Sequence, residues 1–360
     1  MGNSDRYRQI FMIKNVKIGN RVIGEDKDIL VQSMTNTKTY DLESTTNQIR
    51  DLIENGCDIV RVSIPDFESV DSLKKITKKF SIPIVADIHF NYKLAIESIK
   101  AGAAKIRINP GNIEREWQLR EIVKIAKDYK ASIRVGSNSG SLNKDFSNME
   151  PYIALGESAL KQVSILEKYG FGDIVISAKS SSVTDNYNAN KYIRERVNYP
   201  LHLGITESGF GDSGIIKSSI GIGMLLKEKI GETIRVSLSD TPVKEVKAGI
   251  DILKSLDLRK GVNIISCPTC ARTEINVMEL TRKVKEWTAE YDLLNREIKI
   301  AVMGCVVNGV GEGKNADIGI AGTKNGAIIF KNGRLINVKL DQIKDILKRE
   351  IDNYFERNKK

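Results

Sequence analysis

The sequence has few cysteines and no long apolar run, and both shortages exclude whole classes of protein. Four cysteines in 360 residues are too few for a disulfide framework. No apolar stretch approaches the length of a transmembrane helix, and the polar start MGNSDRYRQIFMIKNVKIGN lacks the apolar core of a signal peptide. We therefore expect a soluble cytoplasmic protein, in which a C-x-x-C pair binds metal or does redox work.

Basic residues exceed acidic residues, 56 against 46, and the formal net charge is +10. This charge suits nucleic acid, an acidic protein partner or a phosphorylated substrate. The lysines are scattered along amphipathic helical stretches, however, and no dense basic tract or aromatic-interleaved motif occurs. The sequence favours a solvated basic surface over an RNA-binding footprint, and it predicts no nucleic-acid partner and no membrane partner.

Short β-rich runs alternate with amphipathic helical stretches. The runs span residues 29–35, 59–66, 82–90, 105–112, 132–138, 173–179, 201–207 and 233–240. Strands buried on both faces and joined by helices are parallel, and eight such units in about 250 residues are typical of a (β/α)8 TIM barrel. The rhythm changes after the stretch VKEVKAGIDILKSL. The sequence thus predicts an α/β fold with a substrate-binding TIM barrel over residues 1–260 and a small α+β domain over residues 261–360.

Cationic residues interrupt five of the predicted strands. They are Arg61, Arg107, Arg134, Lys179 and Arg235. Alternation along a strand points such side chains into the barrel, near its C-terminal mouth. A buried charge needs a counter-ion, and carboxylates at the strand ends (Asp87, Glu207 and Asp240) suffice for only one or two of the five. The other cations predict a phosphate or diphosphate site, with Arg235 the weakest candidate.

Polar residues also gather at the strand ends, where barrel enzymes bind substrate. They are Asn36, Asp87, His89, Asn109, Asn138, Ser177, Lys179, Thr206 and Glu207. Asp87 and His89 share one face of a strand, which suits proton transfer and equally suits a plain hydrogen-bonded pair. His202, near the start of its strand, is interpreted as structural. The stretch from Gly209 to Gly214 matches G-x-G-x-x-G, but the acidic residue of a dinucleotide site is missing, so only a minor phosphate-binding role stays open.

Three cysteines fall in the predicted C-terminal domain. Cys267 and Cys270 form the C-x-x-C of SCPTCART, and the spacing of later apolar residues predicts a helix that starts at them. A helix N-terminus would lower the pKa of both thiols. Cys305 lies in MGCVVNGVGEG, whose glycines let backbone approach a bulky inorganic group. Cys57 falls at the bottom of the barrel and is interpreted as a small buried side chain.

Three thiols narrow the choice of metal site. A thioredoxin-type pair would not need Cys305, and structural zinc normally has four Cys or His ligands, although neither histidine lies in this domain. A [4Fe–4S] cluster with three thiolates and one other ligand suits the set better. Glu312, in the loop of Cys305, is the best-placed oxygen ligand. Zinc in a barrel enzyme without redox chemistry remains the alternative.

Five motifs resemble those of one enzyme family. VQSMTNT, INPGN, KSSIGIG, ISCPTCART and GCVVNGVGE, in this order, are similar to motifs of the 4-hydroxy-3-methylbut-2-enyl diphosphate synthases in their bacterial two-domain form. The resemblance implies a cytoplasmic iron–sulfur oxidoreductase of the non-mevalonate isoprenoid pathway. Its members reductively open 2-C-methyl-D-erythritol 2,4-cyclodiphosphate with loss of water, using a [4Fe–4S] cluster and two electrons from flavodoxin or ferredoxin. They are homodimers in which the cysteine domain of one chain covers the barrel of its partner.

The resemblance also implies roles for individual residues. The cluster ligands would be Cys267, Cys270, Cys305 and Glu312. The substrate-binding residues would be Arg61, Arg107, Arg134, Lys179, Asn109, Asn138 and Ser177. The catalytic residues would be Glu312, Asp87, His89 and Glu207. Two positions depart from the family pattern, since Ala271 replaces a usual glycine and Val310 a usual proline. Neither change removes a ligand, although losing the proline leaves the Glu312 loop freer, and we expect weaker ligation by Glu312.

Overall fold

A computed structural model of the chain describes residues 12–89, 91–109, 115–142, 144–146, 148–292, 296–306, 315–331 and 333–358. The chain forms two compact units, Met1–Leu256 and Asp257–Lys360. The boundary predicted between residues 260 and 261 lies four residues beyond this division. Among the described residues, no helix combines the length and apolar character needed to cross a membrane.

The first unit begins with a hairpin that the sequence analysis did not predict. Strands β1 (Val16–Ile18) and β2 (Arg21–Ile23) pair antiparallel around a two-residue turn. Gly19 adopts a left-handed φ of 59° in that turn, a conformation that glycine reaches without steric cost. The signal was present in the sequence, because Gly-Asn between two short alternating runs is typical of a hairpin.

Eight parallel strands follow, as predicted. They are β3 (Leu30–Met34), β4 (Ile59–Ser63), β5 (Ile84–Asp87), β6 (Lys105–Arg107), β7 (Ser132–Asn138), β8 (Ile174–Lys179), β9 (His202–Leu203) and β10 (Thr233–Ile234). They pair in the order β8-β7-β6-β5-β4-β3-β10-β9. A parallel bridge between Ile176 and Leu201 joins the two ends. The predicted TIM barrel is confirmed.

Helices connect the strands and cover the barrel. They are α1 (Leu42–Glu54), α2 (Phe67–Lys79), α3 (Tyr92–Lys100), α4 (Glu116–Asp128), α5 (Pro151–Lys168), α6 (Val183–Arg194), α7 (Gly211–Lys227) and α8 (Pro242–Ser255). Side-chain caps fix several starts: Asp41 accepts the Ser44 N–H, and Asp66 accepts the Ser69 N–H. Proline begins α5 and α8, where its missing N–H costs nothing.

Apolar strand residues fall into two clusters, one on the outer face of the barrel strands and one on their inner face. The larger core lies between strands and helices and takes Val60, Ala86, Ile106, Ile133 and similar residues. A smaller cluster joins the hairpin to the inner ends of four strands, and its members are Val16, Ile18, Ile23, Leu30, Ile59, Val85 and Val175. The hairpin therefore closes the bottom of the barrel with an apolar plug. By alternation, the neighbours of the outward residues point into the lumen above that plug.

The second unit is a five-stranded sheet with helices, in the predicted order. Its elements are β11 (Val262–Ser266), α9 (Val277–Trp287), α10 (Ala289–Asp292), β12 (Ile298–Met303), β13 (Ile318–Thr323), β14 (Gly326–Lys331), β15 (Arg334–Val338) and α11 (Ile343–Arg357). Strands β11, β12 and β13 are parallel, whereas β14 and β15 pair antiparallel. Val277, Leu280 and Val284 turn the apolar stripe of α9 onto this sheet.

Candidate active site

The cationic side chains that were predicted to face the barrel interior lie in the barrel lumen. Outward neighbours on each strand assign the inward positions to Arg61, Arg107, Arg134 and Lys179. All four are buried or half-buried, and Arg134 is only 2% exposed. Gly204 makes room for this crowding, because a Cβ there would lie 2.7 Å from Nζ of Lys179. The cations thus line an interior throat and not an outer surface.

Asp87 is the carboxylate at the centre of one cluster. Its Oδ1 lies 3.4 Å from Nη1 of Arg107, and its Oδ2 lies 4.0 Å from Nε of Arg61 and 3.6 Å from Nε2 of His89. Burial alone would raise the pKa of Asp87, but Arg61, the hydrogen bond with His89 and Arg107 together hold it well below its usual value. Asp87 is therefore ionised, and it positions three predicted site residues around itself.

Arg235 has a different partner from the ones expected. Its Nε and Nη2 lie 3.3 and 3.2 Å from Oε2 of Glu245, a buried residue of α8. Glu245 also accepts the Ser33 hydroxyl at 3.0 Å and the Leu238 N–H at 3.0 Å. The strand-end carboxylates considered from sequence do not fill this role, and Asp240 pairs with Lys244 at 2.7 Å. A helix contributes the counter-ion, which explains why strand alternation could not identify it.

The cationic side chains on the β6–β7 side of the lumen have fewer hydrogen-bond partners and counter-ions than Arg235. Nε and Nη1 of Arg134 have no hydrogen-bond partner within the described part of the chain, and neither does Nζ of Lys105. Burial, reinforced by Arg61 and Arg107, lowers the pKa of Arg134, and burial with the charges of Arg134 and Arg235 lowers that of Lys179. Burial likewise lowers the pKa of Arg61 to about 10. An anion in the throat would relieve this shared penalty.

The remaining predicted residues surround the throat unevenly. Ser177 is buried and donates to the Val135 carbonyl at 3.5 Å, while Asn109 and Asn138 are half-buried where β6 and β7 end. Glu207 is exposed with a left-handed φ of 52°, and a Cβ on Gly140 would lie 3.7 Å from its Oε1. Glu207 therefore lies beside the loop that follows β7. Strained backbone of this kind is concentrated at functional sites.

Two predicted strand-end residues and His202 have local contacts of their own. Asn36 is exposed and accepts Nε2 of Gln48 at 2.6 Å, which ties it to α1. Thr206 is half-buried and its N–H donates to the Ser180 carbonyl. His202 is fully buried, with Nδ1 2.9 Å from Oγ1 of Thr233. These contacts favour structural roles for the three residues.

Sequence reasoning missed two inward polar residues, Lys105 and Gln32. Both are buried, and their side-chain polar atoms lack partners among the described residues. The signal existed, because Lys105 stands two positions before Arg107 in KIR and so shares its face. Its place at the start of the strand concealed how deeply it would be buried.

The cysteine loops of the second unit come together at one edge of its sheet. Strands β11 and β12 are parallel neighbours, with Ser266 opposite Val302, so the segments after them leave the sheet side by side. The Gly304 N–H donates to Sγ of Cys267 at 3.1 Å, directly before Cys305. Cys305 is buried, Cys267 is half-buried and Cys270 is exposed, and all are free thiols.

One prediction about these cysteines is wrong. Cys267 and Cys270 do not lie at a helix N-terminus, because α9 starts at Val277 with Asn276 as its cap. A turn holds them instead, in which the Cys270 N–H donates to Oγ1 of Thr273 at 3.1 Å. The pKa of Cys270 is lowered, chiefly by the backbone N–H of Arg272. The local turn, and not a helix dipole, stabilises this thiolate.

The donor set fits an iron–sulfur centre better than zinc. Both histidines belong to the first unit, so the second offers thiols, and an N–H···S bond to Cys267 is of the kind that tunes cluster thiolates. The structure does not gather the three thiols into one site, because no three His, Cys, Asp or Glu side chains among the described residues, Cys267, Cys270 and Cys305 included, lie close enough together to hold a metal ion. The predicted fourth ligand Glu312, like Val310, lies outside the described residues. Cys57 is buried in the barrel, as predicted, and its Sγ donates to the Ile59 carbonyl at 3.1 Å.

A (β/α)8 barrel with a cation-lined throat, followed by a separate thiol-bearing domain, defines a class of two-domain barrel enzymes. The protein-family model named GcpE TIM-barrel domain matches residues 13–250 of the sequence. The family model named GcpE protein C-terminal domain matches residues 263–353. The chain therefore belongs to the GcpE family.

Relatives over nearly the full length share about half of the residues. The chain is 52% identical to a 4-hydroxy-3-methylbut-2-en-1-yl diphosphate synthase (flavodoxin) of Caldanaerobacter subterraneus subsp. tengcongensis, covering 95% of this chain and 97% of the relative. It is 51% identical to proteins of the same name from Clostridium tetani, covering 94% and 97%, and from Thermotoga maritima, covering 90% and 92%. Dihydropteroate synthase of Xanthomonas albilineans, at 14% identity and a TM-score of 0.50, covers 68% of this chain and 97% of its own and shows the barrel fold alone.

Proposed function

We propose that the chain opens the ring of 2-C-methyl-D-erythritol 2,4-cyclodiphosphate reductively to give 4-hydroxy-3-methylbut-2-enyl diphosphate. Two electrons and two protons enter, one C–O bond to phosphate and one C–OH bond break, and a C=C bond forms between the two carbons. One proton leaves with the hydroxyl as water, and the other ends on the freed phosphate oxygen. The observation that carries the proposal is the name of relatives that share half of this sequence over nearly its whole length. The cationic throat supports it, because a cyclic diphosphate is the kind of ligand that its excess charge requires.

The barrel residues would bind and orient the substrate. Arg61, Arg107, Arg134 and Lys179 would hold the phosphate oxygens, with Asn109, Asn138 and Ser177 beside them. Asp87 keeps Arg61 and Arg107 in place through contacts of 4.0 and 3.4 Å. Because these groups are packed before the ligand arrives, little conformational freedom is lost on binding.

Proton transfer would fall to residues at the mouth. Asp87 is held ionised, so it orients its neighbours and does not donate a proton. His89 is exposed, with Nε2 3.6 Å from Asp87 and Nδ1 3.4 Å from Nη1 of Arg107. Glu207 is exposed beside the loop after β7. We propose these two side chains as the candidates for the single proton that the departing hydroxyl takes up to leave as water.

The second unit would hold an iron–sulfur cofactor, which we propose to be a [4Fe–4S] cluster bound by Cys267, Cys270, Cys305 and Glu312. When bound, such a cluster supplies single electrons and an iron with an exchangeable ligand. Flavodoxin or ferredoxin would be the electron donor. The free thiols suit a reducing cytoplasm.

A homodimer would complete the site, with the cysteine domain of one chain over the barrel of its partner. The apolar face of α7 supports a contact between copies, because Ile216, Ile220 and Met224 are exposed along one side of that helix. A stable monomer with full activity in gel filtration would contradict this arrangement.

Anaerobic purification with metal analysis tests the proposal. Wild-type protein is expected to be brown, with about four irons per chain, and to turn over the cyclic diphosphate with reduced flavodoxin. Cys305→Ser and Glu312→Ala should lose most activity, and Cys305→Ser should lose iron. Cys57→Ala is the matched control and should keep its iron, because Cys57 lies in the barrel core. A colourless zinc protein without turnover would contradict the proposal.

A further inference from the structure

A groove of about 510 Å³ lies beside Cys267 in the second unit. One wall is the end of β11 with the segment after it, and the other is one face of α9 from its first turn to its last. Its lining residues are Ser266, Cys267, Pro268, Thr269, Val277, Met278, Thr281, Arg282 and Lys285. Resting on the proposed function, we propose that this groove is the docking surface for an acidic flavodoxin-type electron carrier. The names of the relatives include flavodoxin, but they do not say where flavodoxin binds.

The groove combines an apolar centre with cations at its edge. Met278 is 75% exposed and Pro268 is also exposed, so both offer apolar surface to a partner. Arg282 and Lys285 supply positive charge, and no carboxylate is among the described residues that line the groove. Small apolar patches with one sign of charge around them are suited to brief, electrostatically steered encounters.

Two acidic residues of α9 pair with basic residues of the same helix, and one of these basic residues is Arg282 of the groove. Glu286 pairs with Arg282 at 2.6 Å, and Glu279 pairs with Lys283 at 2.6 Å, both between exposed side chains one helical turn apart. Such surface pairs contribute only about 0–1 kcal/mol. A strongly acidic partner can therefore recruit Arg282 at little cost.

The position of Cys267 favours an electron carrier over a phosphate ligand. Cys267 itself forms part of the groove wall, so a carrier seated there would touch a proposed cluster ligand. A phosphate would gain nothing from exposed Met278 and Pro268. The cations in the barrel are also buried, as a small polyanion requires, whereas Arg282 is largely exposed.

Charge reversal tests this inference on the cluster-loaded full-length protein. The variant Arg282→Glu/Lys285→Glu changes the groove, and Lys324→Glu/Lys344→Glu is the matched control with the same change of net charge. Lys324 and Lys344 are exposed in the same unit but do not line the groove. Binding of oxidised flavodoxin is measured by isothermal titration calorimetry at low salt. Turnover is measured with reduced flavodoxin and with reduced methyl viologen, a small donor that needs no docking surface.

We expect the groove variant to raise both the Kd and the KM for flavodoxin by at least about tenfold, as the loss of close charge pairs across an interface does. Its rate with methyl viologen should match wild type, and the control should match wild type in every assay. Unchanged flavodoxin binding in the groove variant would overturn the inference. An equal loss of rate with both donors would also overturn it, because the residues would then serve substrate binding or domain contact. A wild-type protein that binds flavodoxin at the groove but turns over no cyclic diphosphate would refute the proposed function alone.

Discussion

The β10 side and the β7 side of the barrel lumen each hold an inward arginine, but among the described residues only the arginine on the β10 side has a carboxylate partner. Arg235 and Arg134 both occupy the sequence I-R-V and both point inward. Glu245 neutralises Arg235 through contacts of 3.2–3.3 Å, whereas two nitrogens of Arg134 have no partner within the described residues. The comparison teaches that one motif can serve two purposes. An arginine with an internal counter-ion has a structural role, and one without it is the candidate for binding an anionic ligand.

The difference also locates the proposed ligand within the throat. Lys105 and Arg134 lie on β6 and β7, and Lys179 lies on the next strand of the sheet. Asp87 compensates Arg61 and Arg107 in part. The phosphates are therefore expected nearer to β6–β8 than to β10.

Glu245→Ala should produce the largest change in this comparison. Removing the carboxylate leaves Arg235 buried without its counter-ion, which typically costs about 3–5 kcal/mol of unfolding free energy. Calorimetry that follows the barrel transition measures the loss. The double variant Arg235→Met/Glu245→Met should recover most of it, because neither member of the pair then leaves an unpaired buried charge. If the single variant is as stable as the double, the pair is not architectural.

Arg134→Met should reverse the pattern. Losing this proposed substrate-binding cation is expected to lower kcat/KM by about 100-fold or more, equivalent to roughly 3 kcal/mol. Stability should stay the same or rise, because Arg134 lacks partners for two nitrogens. Arg134→Lys keeps the charge but not the planar fork and should give an intermediate kcat/KM. A stability loss as large as that of Glu245→Ala, with kcat/KM unchanged, would contradict the assignment.

Lys105→Met should stabilise the protein without ligand by about 2 kcal/mol, because an apolar side chain replaces a buried ionisable group whose Nζ lacks a partner among the described residues. Burial first, then the charges of Arg134 and Arg61, lowers the pKa of Lys105 well below 10.5. Below the ordinary pKa, the unfolded chain therefore takes up a proton that the folded chain does not bind, and this favours unfolding as pH falls.

The stabilising effect of Lys105→Met should accordingly be larger near pH 7 than near pH 10. Urea unfolding of the wild type and the variant at both pH values measures it. A gain independent of pH would mean that packing, and not charge, limits this position. A loss of stability at both values would show that Lys105 has a partner in solution.

The barrel could be predicted from sequence because its signals are periodic. Eight apolar runs separated by helical stretches fix the strand order, and alternation fixes the inward face that carries Arg61 and Arg134. Glu245 escaped prediction because its role depends on how α8 packs over β3 and β10. The Cys267–Cys270 turn escaped for another reason: Asn276 with Glu279 is a helix-start pattern, and the apolar stripe begins only at Val277.

The smallest expected change in stability comes from replacing one buried serine by alanine on each side of the barrel, Ser33 near Glu245 and Ser132 on β7. Ser33 donates to Oε2 of Glu245 at 3.0 Å, so Ser33→Ala removes one of several donors to that carboxylate and should cost about 1 kcal/mol. Ser132 is equally buried on β7, but its Oγ has no partner in the described structure, so Ser132→Ala has no hydrogen bond to lose. Calorimetry of the two variants should show a loss for Ser33→Ala and none for Ser132→Ala. Equal losses would mean that water or an ion already fills the β6–β7 side of the free protein, and the asymmetry of the lumen would then be one of occupancy and not of charge.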